Sequence, residues 1–128
     1  MSASATDIAE EAYARLNAGL THGNWDAFFA LFADEVDLIL PYPPVVGHFT
    51  GREGREKLVL FFRPLGVEGN RVTKVISTVK VAGADRVVFE DHWSGQFYGQ
   101  PAEGRDTIHI IVADGKVVGF HEYVLPAA

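Results

Sequence analysis

The hydrophobic period of this chain changes once, near residue 70, and that change restricts the fold more than any other feature. Before it, apolar side chains recur every three or four residues, the repeat of an α-helix. After it, apolar and polar residues alternate, the repeat of a strand with one buried face. Helices first and an antiparallel meander afterwards predict an α+β fold. Three N-terminal helices then pack on a strongly curved, mainly antiparallel sheet that forms a cone around an apolar cavity.

The first helix is expected from Asp7, with Glu10 completing a capping-box-like start and Ile8, Ala9, Ala12, Leu16 and Leu20 on one face. Gly23 stops it, and Asn24 caps a short second helix whose apolar face is Trp25, Phe28, Phe29, Leu31 and Phe32. A first strand is expected over Glu35–Leu40, ended by Pro41-Tyr42-Pro43-Pro44 as a stiff loop, because proline donates no backbone hydrogen bond. A third helix is expected from Glu53 to Phe62. Four strands follow at Arg71–Val81, Asp85–Tyr98, Arg105–Ala113 and Lys116–Leu125, with the Asp114-Gly115 pair marking a hairpin. No repeat, linker or low-complexity tract breaks the sequence, so residues 1–128 are expected to form one domain.

Charge narrows the partners. The formal balance over 128 residues is −6, which argues against nucleic acid and against an anionic membrane surface. No apolar run approaches the roughly 20 residues of a membrane span, and the N-terminal stretch has no signal-peptide pattern, so a cytoplasmic protein is expected. The absence of cysteine excludes disulfides, thiol catalysis and thiolate metal sites.

Strand parity singles out three acids. Between Asp85 and Tyr98 the apolar set is Val87, Phe89, Asp91, Trp93 and Phe97; on the next strand it is Asp106, Ile108, Ile110 and Val112; on the last it is Val118, Phe120, Glu122 and Val124. Each of three neighbouring strands thus carries one carboxyl on an otherwise apolar face. A buried carboxyl holds its proton to higher pH, as a general acid or base near neutrality must. Asp91, Asp106 and Glu122 are therefore the candidate catalytic residues; the alternative is plain ion pairing with Arg52, Arg63 or Arg105. His92, His109 and His121 have the opposite parity and suit an exposed or dimer-facing surface. His48 sits in the proline loop, where it could overhang the cavity mouth. No histidine spacing supports a metal site, and none is assigned. Tyr13 and Asn17, one turn apart on the first helix, could aim polar groups into the cavity. Some of Trp25, Phe28, Phe61, Phe62, Phe89, Trp93 and Phe120 could stack on a flat ligand. Phosphate-binding and nucleophile-elbow motifs are absent.

The runs Asn24-Trp25-Asp26 and Leu31-Phe32-Ala33-Asp34-Glu35-Val36, the proline stretch with Gly51-Arg52-Glu53, and Asp114-Gly115-Lys116-Val117 with His121-Glu122-Tyr123 and Pro126 carry a resemblance. Together they resemble the SnoaL-like and ketosteroid-isomerase-like superfamily, whose cystatin-like fold is that of nuclear transport factor 2. The resemblance implies a homodimer built through the outer sheet face. It puts Leu40 where ketosteroid isomerase has its base and Ile108 where it has its oxyanion acid, with Asp106 two residues away on the same face. The isomerase's helix-one tyrosine falls near Leu16, one turn from Tyr13. Asp91 and Trp93 replace the arginine–aspartate pair of limonene epoxide hydrolase, and Glu122 matches that enzyme's last-strand aspartate. In SnoaL-like cyclases an acid near Asp106 or Glu103 works on a polycyclic or aromatic ligand.

These readings converge on a cofactor-independent enzyme of isomerase, polyketide-cyclase or dehydratase type, acting on a small hydrophobic metabolite. Asp91 and Glu122 would relay a proton, and Asp106 would orient the substrate or donate to a developing enolate-type oxygen. Tyr13, Asn17, Trp25, Leu40, Phe61, Phe89, Trp93, Ile108 and Phe120 would bind the substrate. A non-catalytic small-molecule binder and a dimeric interaction module remain open alternatives.

Overall fold

The computed structural model describes residues 4–126. The chain runs α1 (Ala5–His22), α2 (Asp26–Phe29), β1 (Phe32–Tyr42), β2 (Val45–Phe49), α3 (Gly51–Phe62), β3 (Arg71–Ala82), β4 (Arg86–Phe97), β5 (Gln100–Ala113) and β6 (Lys116–Val124). The six strands form one curled, unclosed sheet in the order β2-β1-β6-β5-β4-β3. Every neighbouring pair is antiparallel except β1 with β6. The expected α+β cone is therefore the fold. Helix α1 packs across β3 to β6, and α3 packs on β1 and β2.

Several boundaries shift for identifiable reasons. Helix α1 begins two residues before Asp7, because Ser4 is the cap and its Oγ accepts from the Asp7 amide at 3.1 Å. Gly23 ends α1 at φ 77°, the left-handed position that suits glycine. Helix α2 is a single turn capped by Trp25 rather than Asn24, and Phe32 opens β1 instead of extending the helix.

The proline stretch is a hairpin. Pro41 and Tyr42 belong to β1, and Val45–Phe49 returns as a strand that the sequence reading missed. Pro41 is tolerated because the pairing of β1 with β6 ends at Ile39, so its missing N–H faces no partner on that side. Strand β5 begins at Gln100 rather than Arg105. The turn before it is Tyr98-Gly99, both at positive φ, and Pro101 pairs with Gln96 at the strand's open end.

One bulge changes a face assignment. Ile111 pairs with Gly119 and Val112 with Val117, so Val118 is the extra residue on β6. Val117 is consequently fully buried where Val118 was expected, and Val124 is half-exposed beyond the end of the core. From Phe120 to Glu122 the expected parity holds. The pairing of β4 with β5 is unbroken from Arg86 to Phe97, which keeps Phe89, Asp91 and Trp93 on one face.

The closed end of the cone is a block of aromatic rings. Phe28, Phe62 and Phe120 meet edge to face at centroid distances of 5.6, 6.3 and 5.6 Å, with Trp25, Phe29 and Phe32 around them. Such ring pairs add about 0.5–1.5 kcal/mol each beyond the area they bury. Helix α3 approaches β1 so closely at Gly54 that a Cβ would lie 1.8 Å from the Val36 carbonyl oxygen.

Candidate active site

Strand alternation brings Asp91 (β4), Asp106 (β5) and Glu122 (β6) to the inner face, where they are 5%, 3% and 7% exposed. Asp91 stands directly across the ladder from Asp106, while Glu122 pairs with Ile108, one inward position along β5 from Asp106. None of the three has a salt-bridge partner among the described residues. Arg63 reaches Asp26 and Arg105 reaches the Pro126 carbonyl instead. The ion-pair alternative is thereby removed.

Neutral donors serve the acids instead. Tyr13 Oη donates to Asp91 Oδ2 at 2.9 Å from α1. Tyr42 Oη donates to Asp106 Oδ1 at 2.6 Å from the end of β1, and Trp93 Nε1 donates to Asp106 Oδ2 at 3.0 Å. Asp91 Oδ1 has no hydrogen-bond partner.

These surroundings separate the acids electrostatically. Burial pushes the Asp91 carboxyl up to about 6; the Tyr13 hydrogen bond opposes that rise, Asp106 adds to it, and His92 opposes it slightly. Glu122 is held well above the ordinary carboxyl range by burial first, then by the charge of Asp106, its hydrogen bond to Asp106, and the charge of Asp91. Glu122 therefore favours its protonated form. Tyr13 is raised by burial and by Asp91, and Tyr42 by burial and by Asp106, so both remain proton donors at neutral pH. Both Asp106 oxygens accept, one from Tyr42 and one from Trp93.

The acids line a cavity of about 500 Å³. Leu16, Asn17, Leu20, Phe61, Phe62, Leu65, Val72, Val75, Phe97 and Ile108 supply most of its wall, and the exposed Pro43, Pro44, Leu60 and Tyr98 mark its rim.

Of the expected substrate contacts, Asn17, Phe61, Trp93 and Ile108 line this space. Tyr13 acts one step back, through Asp91, with its ring stacked on Phe89 at 4.0 Å. Trp25, Leu40, Phe89 and Phe120 do not reach the cavity; their side chains are consumed by core packing, with exposures of 2%, 1%, 3% and 0%. The Trp25 indole N–H is spent on the Leu65 carbonyl. His48 also lies away from the mouth. It pairs with Asp37 on the outer face at 2.6 Å, opposite His121, whose Nε2 is 2.6 Å from the other Asp37 oxygen.

Sequence reasoning missed Tyr42 as a functional residue. The signal was present, since Val36, Leu38 and Leu40 alternate inward and Tyr42 is the next in that series. Reading the prolines as a loop interrupted the count.

A family model of the SnoaL-like domain matches residues 11–120. The chain belongs to the SnoaL-like family. No curated protein matches this sequence. A nuclear transport factor 2-like protein from Anabaena variabilis superposes with TM-score 0.83 at 21% identity, covering 96% of this chain and 90% of its own. An isomerase candidate from Rhodopseudomonas palustris gives TM-score 0.74 at 13% identity, covering 97% and 91%. One from Bacillus subtilis gives 0.75 at 16%, again covering 97% and 91%. At such identities the likeness of this SnoaL-like chain to these structures is one of fold. No helix of the described residues is long and apolar enough to cross a membrane. Nor do those residues contain a group of three His, Cys, Asp or Glu side chains able to hold a metal.

Proposed function

We propose that this SnoaL-like protein is a cofactor-independent acid/base enzyme of isomerase, cyclase or dehydratase type, acting on a small hydrophobic metabolite held in the cone. The observation that supports the reading is the presence of three buried carboxyls on one cavity wall. Asp91, raised to about 6, is mostly ionised at neutral pH yet basic enough to take a proton. Glu122 keeps its proton and can give it. Asp106, fixed by Tyr42 and Trp93, lies one inward position along β5 from the residue that Glu122 faces and orients the substrate. The substrate lies against apolar walls, where loss of water strengthens each of these interactions.

The test uses amide replacements. Asp91→Asn and Glu122→Gln preserve shape and remove the ionisable oxygen. Each should bind a ligand found for the wild type while losing at least a hundredfold in turnover, the usual scale of one acid or base. Full turnover in both variants would refute the assignment, and a wild type that binds but never turns over would make this a carrier.

We also propose that the outer sheet face joins a second copy of the chain. Ile76, Val81 and Tyr123 support this, being 49%, 57% and 45% exposed although they are large and apolar.

A further inference from the structure

We propose that the cavity is selective for a hydrophobic amine bound as its ammonium ion, an inference that rests on the cavity being the ligand site. Its lining contains three carboxyl side chains, Asp91, Asp106 and Glu122, and no lysine, arginine or histidine. A carboxylate or phosphate ligand would be buried against like charge with no cation to receive it, an arrangement that folded proteins avoid. A neutral ligand avoids that penalty but leaves the charge on the wall uncompensated. An ammonium ion compensates it and makes charge-assisted hydrogen bonds, the stronger kind.

A second observation makes this more than a cluster of acids. Asp91 is 5% exposed on the cavity wall, and its Oδ1 lacks any hydrogen-bond partner. Unmade hydrogen bonds at buried oxygens are costly, and a ligand donor relieves that cost. No neighbour of Asp91 does so. Tyr13 from α1 serves Oδ2, Asp106 across β5 is another acceptor, and the hydroxyl of Ser77, its pairing partner on β3, makes no hydrogen bond to Oδ1. Glu122 stands on β6 opposite Ile108 and makes no hydrogen bond to Oδ1, and His92 takes the outer face of the same strand as Asp91, 3.6 Å from Glu103. Asn17 and Asn70 add amide oxygens that can accept from an ammonium group without altering the charge. A cavity of about 500 Å³ with apolar walls suits the hydrocarbon part of such an amine.

Three ligands that share one bicyclic skeleton provide the test: 2-aminoindane, 2-indanol and indane-2-carboxylate, titrated calorimetrically near neutral pH. The amine should bind at least tenfold tighter than the alcohol, and the carboxylate should give no measurable binding. Lowering the pH to 5 should weaken the amine and leave the alcohol unaffected, because Asp91 then takes up its proton. Asp91→Asn should lose at least fivefold for the amine and less than twofold for the alcohol. The wild-type pH comparison decides the matter even if that variant folds poorly. Preference for the alcohol or the carboxylate would overturn the charge inference while leaving the acid/base reading standing. Failure of all three to bind would overturn the charge inference, while the acid/base reading stands or falls on the turnover of Asp91→Asn and Glu122→Gln.

Discussion

Asp91 and Asp106 face each other across adjacent antiparallel strands, and each takes an O–H from a tyrosine on a different element, Tyr13 of α1 and Tyr42 of β1. Two acids directly opposite on a buried face repel, so this arrangement costs stability unless one of them is neutral. The tyrosines soften the conflict without removing it, because a phenol donates a hydrogen bond but brings no positive charge. The fold thus tolerates a strained acid pair at the wall of its cavity. Ordinary packing would place apolar side chains there.

That tension has a pH signature. Asp91 is raised in the folded state from 3.8 to about 6, so folding favours its protonated form. Its stabilising contribution is complete below 3.8 and is lost as pH rises through about 6. The loss amounts to about 3 kcal/mol for a shift of this size. Glu122 acts with the same sign at higher pH, whereas Asp37 acts oppositely. Burial alone would raise Asp37, but the hydrogen bonds from His48 and His121 outweigh it and hold it below its ordinary value. Urea unfolding of the wild type and Asp91→Asn near pH 4 and near pH 8 isolates the Asp91 share. The variant should gain about 2.5 kcal/mol on the wild type between those two conditions, since a little of the Asp91 contribution is already lost at pH 4. Parallel pH curves would show that Asp91 is not the strained group.

Tyr13→Phe should move the Asp91 titration further upward. The hydroxyl's hydrogen bond is what restrains the rise caused by burial, and removing it leaves the ionised carboxyl less supported. Phenylalanine keeps the ring that stacks on Phe89 at an interplanar angle of 3°, so the packing is preserved. Carboxyl carbon chemical shifts followed through a pH titration should place the Asp91 midpoint above the wild-type value of about 6. A midpoint that fell or stayed fixed would mean that Tyr13 does not donate to Asp91.

How much of this was legible in the sequence depends on which physical rule governed each residue. Alternation within a strand is rigid geometry, so Asp91, Asp106 and Glu122 could be placed inward from their neighbours alone. The bulge at Val118 was not legible, because it depends on how Ile111 and Val112 meet the partner strand rather than on β6 itself. Whether an aromatic ring meets a ligand or another ring depends on distances between elements far apart in sequence. Phe120 and Trp25 were accordingly expected at the cavity but belong to the ring cluster with Phe28 and Phe62. The β2 hairpin was hidden because a proline that would break a central strand is harmless where pairing with β6 has already ended.

Gly104 is predicted to be a structural requirement of the site. It pairs with Trp93 across the ladder, and a Cβ added there would lie 2.8 Å from Trp93 Cζ2 and 2.9 Å from Nε1. Valine at this position should push the indole away and break its hydrogen bond to Asp106, at a cost of about 1.5–3 kcal/mol for a bond to a charged group. Tryptophan fluorescence of Gly104→Val should change, since the core Trp25 is untouched and only the Trp93 environment is altered. An unchanged spectrum and unchanged stability would mean that Trp93 does not anchor Asp106.

The outer face offers the last test. Tyr123 on β6 and Ile76 on β3 project away from the cavity, since Tyr123 follows the inward Glu122 and Ile76 pairs with His92, which follows the inward Asp91. If a second copy covers this face, a charge placed there must be desolvated on association, which folded interfaces do not tolerate without a partner. Light scattering of the wild type at micromolar concentration should give a dimer mass, and the double variant Ile76→Arg/Tyr123→Arg should give a monomer of unchanged circular dichroism. The cavity carboxyls lie on the opposite side of the sheet, so the ligand-binding response of that monomer should survive. A wild type that scatters as a monomer would leave this face without a partner copy and end the dimer proposal.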